Sequence, residues 1–192
     1  SPVCIASARA GNVIGGGDWS PDRLIVDIIR AFSTGEMLRI RNPNATRPWQ
    51  HVLEPLRGYL TLAQKLYELG PRFSGAWNFG PHYEDAKPVQ WIVEHLAARW
   101  AALSPGAPPP RWEIDSGTHP HEANMLKLDW THASQELDWH PALSLSSALD
   151  LTLDWYRDVL SGHPAREKSL TQIDAYNLKC ASTADDPSRR RS

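Results

Sequence analysis

The chain has 192 residues, of which 41% are apolar and 22% are charged, so it can bury a sizeable core and is neither fibrous nor wholly disordered. Twenty basic and 22 acidic side chains leave a formal net charge of -2, without the charge excess typical of proteins that bind nucleic acid or a membrane surface. No apolar run of membrane-spanning length and no signal peptide is predicted. Cys4 and Cys180 have no pairing pattern, which predicts reduced thiols in a cytoplasmic protein.

Hydrophobic periodicity predicts strands that alternate with helices. The first apolar run, residues 2–9, is of the kind that is buried on both faces in a parallel sheet and needs neighbouring strands. Further strands are predicted at 37–40, 76–79, 112–114 and 125–128, and helices at 22–32, 51–69, 89–103, 130–137 and 145–160. From residue 161 the helical pattern fades, and residues 185–192 are expected to fray. The alternation indicates the α/β class.

Gly15, Gly16 and Gly17 lie between a predicted strand and a predicted helix, where backbone amides can hold phosphate. The dinucleotide fingerprint G-x-G-x-x-G is incomplete, because position 20 is serine. A flexible loop on the substrate side is therefore predicted in place of a dinucleotide-binding turn.

Tyr83 and Lys87 match the Y-x-x-x-K spacing in which lysine lowers the pKa of a catalytic tyrosine. That chemistry needs both side chains on one helical face, but Pro88 disfavours a helical backbone at Lys87. The pair is rejected as a catalytic pair.

His119, His121 and Glu122 could suggest a metal site, but beyond this short motif no further ligand lies at a recognisable spacing. No metal is predicted.

Three arginines, Arg39, Arg41 and Arg47, lie close together in and beside a predicted loop. Guanidinium groups are planar, forked donors that suit phosphate oxygens and base edges, and the nearby Trp49 offers a stacking face. The segment is interpreted as a binding loop, and a solvated loop with incidental arginines is the alternative.

Several longer blocks keep a common order and spacing. They are ARAGNVIGGGDW at 8–19, RNPNATRPWQHV at 41–52, WNFGP at 77–81, HEA at 121–123, LKLD at 126–129 and QIDAY at 172–176. Together they resemble the extended short-chain dehydrogenase/reductases that act on nucleotide sugars, in particular the CDP-glucose 4,6-dehydratase family. The resemblance covers nearly the whole chain and about half of the family's length.

The resemblance implies a fold: the C-terminal part of an NAD-binding Rossmann-like domain, with its last sheet strands and the small substrate-binding lobe. Residues 1–20 would be a late Rossmann strand and substrate loop, residues 21–160 the mixed Rossmann end and nucleotide-sugar lobe, and residues 161–192 an extension with a disordered tail from about 182. The first Rossmann strand, its glycine-rich turn and the helical Y-x-x-x-K would precede this part. The chain is expected to be a fragment or one part of a split protein.

The resemblance also implies a reaction. Such enzymes oxidise C4 of the hexose of CDP-glucose with bound NAD, eliminate water across C5 and C6, and return hydride to C6, giving CDP-4-keto-6-deoxyglucose. None of the catalytic residues is expected in this chain, which should instead hold the nucleotide sugar. The full-length enzyme would be cytoplasmic and could form a homodimer.

By position in the matching blocks, Asn12 would reach the hexose and pyrophosphate, and Arg47 would neutralise the diphosphate. The alternative for Asn12 is that it caps its own turn. Arg39 and Arg41 fall where relatives read the base.

Arg23 and Leu24 would meet the nucleotide at the start of a helix, and Glu122 would bind the ribose hydroxyls. Arg9 and Ala10 would lie toward the nicotinamide end of NAD.

Three other interpretations stay open. The chain could be a non-catalytic fragment that binds a nucleotide sugar, part of another nucleotide-sugar dehydratase or epimerase of the same family, or a decayed reading frame without a stable product.

Overall fold

The computed structural model describes residues 3–106, 108–115, 117 and 125–184. Its strands are Ala6–Ala10 (β1), Asn12–Ile14 (β2), Met37–Ile40 (β3), Trp49–His51 (β4), Gly75–Phe79 (β5) and Arg111–Ile114 (β6). Its helices are Leu24–Thr34 (α1), Leu53–Leu69 (α2), Val89–Leu103 (α3), Thr131–Leu137 (α4), Leu145–Leu160 (α5) and Ala165–Ala184 (α6). The α/β prediction is confirmed. In the part of the chain that is described, no helix is both long and apolar enough to cross a membrane.

The strands pair in three parallel couples, β1 with β5, β2 with β4, and β3 with β6. Each couple joins segments that are far apart in the sequence, because parallel strands need a crossover connection. The α2 helix provides the crossover that ends at β5 and contacts β1, β4 and β5. The β2–β4 pair thereby brings the segments around residues 12 and 50 together, and the β3–β6 pair joins residue 40 to residue 114.

The first strand differs from its prediction. It was expected to be buried on both faces, but residues 7–9 are exposed and β5 is its single strand neighbour among the described residues. Just before β1, the apolar side chains of Val3 and Ile5 are 85% and 72% exposed. An apolar run of this kind is buried on both faces only where strands flank both of its edges, and the described residues supply one flanking strand, β5.

Two hydrophobic clusters form the core. The larger one joins α1, β3, α3 and α5, around side chains such as Ile28, Leu96 and Leu149 that are fully buried. The smaller one joins α2, β5 and α4, around Trp77, Phe79 and Trp139. Several side chains of the larger cluster, among them Ile14, Ile40 and Tyr156, also line the cleft described below.

The C-terminal region departs from the sequence expectation. Where the helical pattern was thought to fade, α6 runs unbroken from Ala165 to Ala184. It is held by tertiary contacts, since the Tyr176 hydroxyl donates to Glu54 Oε2 at 2.8 Å and Gln172 Nε2 donates to the Leu151 carbonyl at 2.7 Å. A helix with a weak apolar stripe is thus fixed by a few buried polar contacts. The predicted frayed tail, residues 185–192, lies outside the described residues.

Three shorter elements were also misjudged. The strand β2 lies in the segment after the first predicted strand, where a loop is expected. The strand β4 lies at the end of the next expected loop and includes His51, the first residue of the predicted helix, so that α2 begins at Leu53. The strand expected at 125–128 is reduced to an isolated bridge between Met125 and Thr46. Strands of three residues carry too little periodicity to be recognised from sequence.

Candidate functional site

A cleft of about 730 Å³ opens beside the larger core cluster. It is lined by the loop after β1, by β2, by the first turn of α1 and by the segment from β3 to β4. The volume lies within the range of about 300 to 1,000 Å³ that is usual for small-molecule sites. Six residues singled out from the sequence line it: Asn12, Arg23, Leu24, Arg39, Arg41 and Arg47.

The β2–β4 pairing brings Asn12, the first residue of β2, close to Arg47, which precedes β4. The backbone N–H of Asn12 donates to the Pro48 carbonyl at 2.9 Å, directly beside Arg47. Gly11 permits this approach, since a Cβ there would lie 2.1 Å from the Pro48 carbonyl oxygen. Arg47 is half-buried, and its Nη1 donates to the Thr46 carbonyl at 3.1 Å. A half-buried guanidinium and a side-chain amide therefore share one wall of the cleft.

The first turn of α1 forms a second wall. Arg23 occupies the N-cap position with an extended backbone, and no side chain caps the helix. The N–H groups of a first helical turn have no intrahelical acceptor and carry the positive end of the helix dipole. This wall can therefore receive an anionic group from backbone amides and from Arg23.

Asp22, just before this helix, has a left-handed backbone with φ of 60°, which is costly for a residue other than glycine. Its carboxylate lies 3.9 Å from Arg41 Nη2. Asp27, in the first turn, also lines the cleft, and burial raises the pKa of its carboxyl group. Asp18, Asp22 and Asp27 thus line the same cleft as four arginines, and Asp27 itself pairs with Arg30 at 3.1 Å.

The third wall is β3 and the loop after it. Arg39 is largely exposed, and its Nε donates to Glu113 Oε1 on β6 at 2.8 Å. Arg41 is also exposed and follows two residues later. The two guanidinium groups thus lie at the solvent-exposed, open end of the cleft, whereas Arg47 is half-buried.

Sequence reasoning missed the contribution of α5. Tyr156 lines the cleft, and its hydroxyl donates to the Asp18 carbonyl. Burial, together with the nearby Asp18 carboxylate, raises the pKa of Tyr156 to about 12, so its hydroxyl is a donor at neutral pH. The only available signal was the high tryptophan count, which predicted aromatic contacts at loops without locating them.

The glycine run at 15–17 has a packing role against the same helix. A Cβ on Gly16 would meet the Trp155 ring at 2.0 Å, so a side chain cannot be placed there without moving α5. Trp19 at the end of this loop packs edge-on against Tyr156, with ring centroids 5.0 Å apart. The glycines let the loop lie flat on aromatic side chains.

Behind the cleft, His51 is buried and its Nε2 has no hydrogen-bond partner among the described residues. Burial lowers the pKa of His51 to about 4, so the ring is neutral at physiological pH. Its Nδ1 accepts from the Leu53 backbone N–H at 3.4 Å, at the start of α2.

The remaining predicted residues lie elsewhere. Arg9 and Ala10 belong to β1 and do not line the cleft. Glu122 lies outside the described residues, as do His119 and His121 of the rejected metal motif.

Tyr83 lies in a short 3-10 turn, Tyr83–Asp85, and its hydroxyl donates to Asp129 Oδ1 at 3.3 Å. Pro88 has an extended backbone, with φ of -69° and ψ of 156°. Tyr83 and Lys87 therefore do not share a helical face, in agreement with the rejection of this pair.

Comparison with known proteins bears on this arrangement. No protein-family model matches the chain. The chain is 47% identical, over 174 residues, to CDP-glucose 4,6-dehydratase of Salmonella typhimurium strain LT2, with 91% of this chain and 47% of that protein covered. The resemblance to CDP-glucose 4,6-dehydratase is confirmed. The chain spans about half the length of this relative.

Solved structures support the fold. MoeE5 in complex with UDP-glucuronic acid and NAD superposes with a TM-score of 0.64 at 23% identity, covering 81% of this chain and 48% of MoeE5. The dTDP-glucose 4,6-dehydratase of Bacillus anthracis in complex with NAD superposes with a TM-score of 0.59 at 19% identity, covering 79% and 44%. The chain therefore has the fold of part of an extended short-chain dehydrogenase/reductase.

Proposed function

We propose that the cleft binds CDP-glucose and that the chain is the substrate-binding part of a CDP-glucose 4,6-dehydratase. The observation that carries the proposal is the meeting of six residues, drawn from three separate segments of the sequence (12, 23–24 and 39–47), around one cleft of about 730 Å³. The 47% identity to a CDP-glucose 4,6-dehydratase supports the choice of substrate.

The diphosphate would lie between Arg47 and the first turn of α1. Arg47 is half-buried, so its charge is less screened than that of the exposed arginines, and a forked contact with two phosphate oxygens is favourable. Arg23 and the free amides of the turn, including that of Leu24, would complete the site.

The cytosine base would lie at the open end, beside Arg39 and Arg41. Asn12 would then reach the hexose from the opposite wall. We assign Glu122 to the ribose hydroxyls, and Arg9 and Ala10 to the nicotinamide side. When bound, NAD supplies reversible acceptance of hydride from the sugar, while this chain's own residues hold the nucleotide and orient the hexose.

A UDP-sugar is the second candidate substrate, because the MoeE5 structure holds UDP-glucuronic acid. A fragment that binds a nucleotide sugar without turnover would use the same residues. Nucleotide preference separates the first of these possibilities. The second would form no 4-keto product even when the chain is combined with the catalytic half of such an enzyme.

The test is calorimetric titration of CDP into the chain and into two arginine variants. Arg47→Ala should weaken binding by about 2 kcal/mol, roughly 30-fold, from loss of a charge-assisted contact. Arg47→Lys should recover only part, because an ammonium group cannot fork across two oxygens.

Arg72→Ala is the matched control, since Arg72 is exposed, pairs with Glu136 and lies outside the cleft. Equal affinities of the Arg47→Ala and Arg72→Ala variants would place the diphosphate elsewhere.

A further inference from the structure

A carboxylate on a neighbouring strand contacts one of the cleft arginines. The β3 and β6 strands are parallel, and Arg39 stands opposite Glu113 in their register. Arg39 Nε donates to Glu113 Oε1 at 2.8 Å, although the two residues are 74 positions apart. The contact therefore exists only once β6 has docked on β3.

The choice of nitrogen matters for what Arg39 can still bind. Its Nε–H is used by Glu113, whereas within the part of the chain that the structure describes no hydrogen bond occupies the N–H groups of Nη1 and Nη2, which form a planar pair of donors. Arg39 lines the cleft and Glu113 does not, so the carboxylate approaches from outside the cleft. The guanidinium is thereby held on one edge while its other edge is available to a ligand.

We propose that Glu113 is a positioning residue that fixes the orientation of Arg39 toward the nucleobase and so sets the preference for cytosine. The inference rests on the proposed function of the cleft. Cytosine N3 accepts a hydrogen bond, whereas N3 of uracil carries a proton and leaves an arginine donor unpaired. A guanidinium in a fixed orientation increases the difference in affinity between cytosine and uracil, because a freely rotating side chain could turn its donor away from the N3 proton of uracil.

Stability and recognition can be separated at this pair. The side chains of Arg39 and Glu113 are 72% and 48% exposed, and exposed ion pairs contribute little to folding. Loss of Glu113 is therefore expected to leave the melting temperature unchanged. An altered ratio of affinities for two nucleotides would not arise from a purely structural role.

The experiment titrates CDP and UDP into the wild-type chain and three variants at position 113. Wild type should prefer CDP by about tenfold or more. Glu113→Ala, without an acceptor, and Glu113→Asp, one methylene too short, should bring the ratio below about threefold. Glu113→Gln keeps an acceptor oxygen at the same reach and should retain most of the preference. Glu36→Ala, an exposed carboxylate just before β3, is the matched control and should leave the ratio unchanged.

Each other outcome overturns a distinct claim. Equal CDP-to-UDP ratios in wild type and Glu113→Ala refute the role of Glu113 alone. If Glu113→Asp keeps the preference for CDP and Glu113→Gln loses it, the negative charge at position 113 sets the preference and the positioning of Arg39 does not. The same conclusion follows if Glu36→Ala also loses the preference. A wild-type chain that binds neither nucleotide refutes the proposed function itself, and this inference with it.

Discussion

Arg39 and Arg41 stand at the open end of the cleft, and at the scale of single residues they are the expected determinants of base choice. We expect Arg39→Ala and Arg41→Ala to weaken CDP-glucose more than UDP-glucose or dTDP-glucose. The reason is that both arginines can donate to cytosine O2 and N3, whereas a donor that another bound base covers and leaves unpaired costs about 1 to 3 kcal/mol. Competition binding with the three nucleotide sugars measures the effect.

The alternative is that both arginines only add positive charge near the phosphates. In that case the two substitutions would weaken all three nucleotide sugars by the same factor, and the assignment to the base would have to be abandoned.

His51 makes the stability of the chain sensitive to acid. Burial lowers its pKa from 6.5 to about 4, so the folded chain resists protonation that the unfolded chain accepts. This stabilisation is present above pH 6.5 and is lost as the pH falls toward 4. Between pH 7 and pH 4.5 the loss should be about 2 kcal/mol in the free energy of unfolding.

His51→Phe should remove that pH-dependent loss, because phenylalanine has no group that titrates, although the long hydrogen bond from the Leu53 N–H is lost at both pH values. Urea unfolding at both pH values measures it, with the exposed His163 replaced by Phe as the control. An equal acid sensitivity in wild type and His51→Phe would show that other groups dominate.

At the scale of elements, α6 is fastened to α2 through one buried polar cluster. The Glu54 carboxylate is buried and accepts from the backbone N–H groups of Ala142 and Leu143 at 2.8 and 2.7 Å and from the Tyr176 hydroxyl. Arg57 Nε donates to the same hydroxyl at 3.0 Å. Burial raises the pKa of Glu54 even though these donors oppose the shift.

Tyr176→Phe should cost about 1 to 3 kcal/mol in the free energy of unfolding, since it removes a donor from Glu54 and an acceptor from Arg57 in a buried place. Hydrogen exchange should also become faster in α6. Tyr67→Phe is the matched control, because Tyr67 is 93% exposed and should change neither quantity. If both substitutions have the same effect, the cluster does not hold the helix.

At the scale of the whole molecule, the 192 residues contain the cleft proposed to hold a nucleotide sugar, but neither the glycine-rich turn nor, among the described residues, the helical Y-x-x-x-K that the resemblance implies for such enzymes. We therefore expect the chain by itself to form no 4-keto product from CDP-glucose and NAD. An assay for that product checks this. Product formation that disappears in Tyr83→Phe would contradict both this expectation and the rejection of Tyr83 with Lys87.

The division into residues 1–20, 21–160 and 161–192, and a homodimer of the longer enzyme, stay predictions. Beside β1 and on α2, the apolar side chains of Val3, Ile5 and Leu60 are 72% to 85% exposed. Exposed apolar side chains of this kind favour association with other apolar surfaces.

The sequence by itself determined the α/β class, most of the helices and six of the residues that line the cleft. The helices α1, α3 and α5 have apolar stripes long enough to be read locally, and their predicted ranges lie within two residues of those observed. The cleft residues were found because blocks such as RNPNATRPWQHV resemble a known family, whereas periodicity and spacing indicated only the arginines.

The tertiary structure alone decided how these parts meet. The β2–β4 pair, the Arg39–Glu113 contact and the course of α6 each depend on partners that lie 37, 74 and 122 positions away in the chain. A strand of three residues, or a helix held by one buried hydroxyl, leaves almost no periodic trace in its own segment. The free energy that stabilises these three features comes from long-range contacts, so the local sequence pattern does not reveal them.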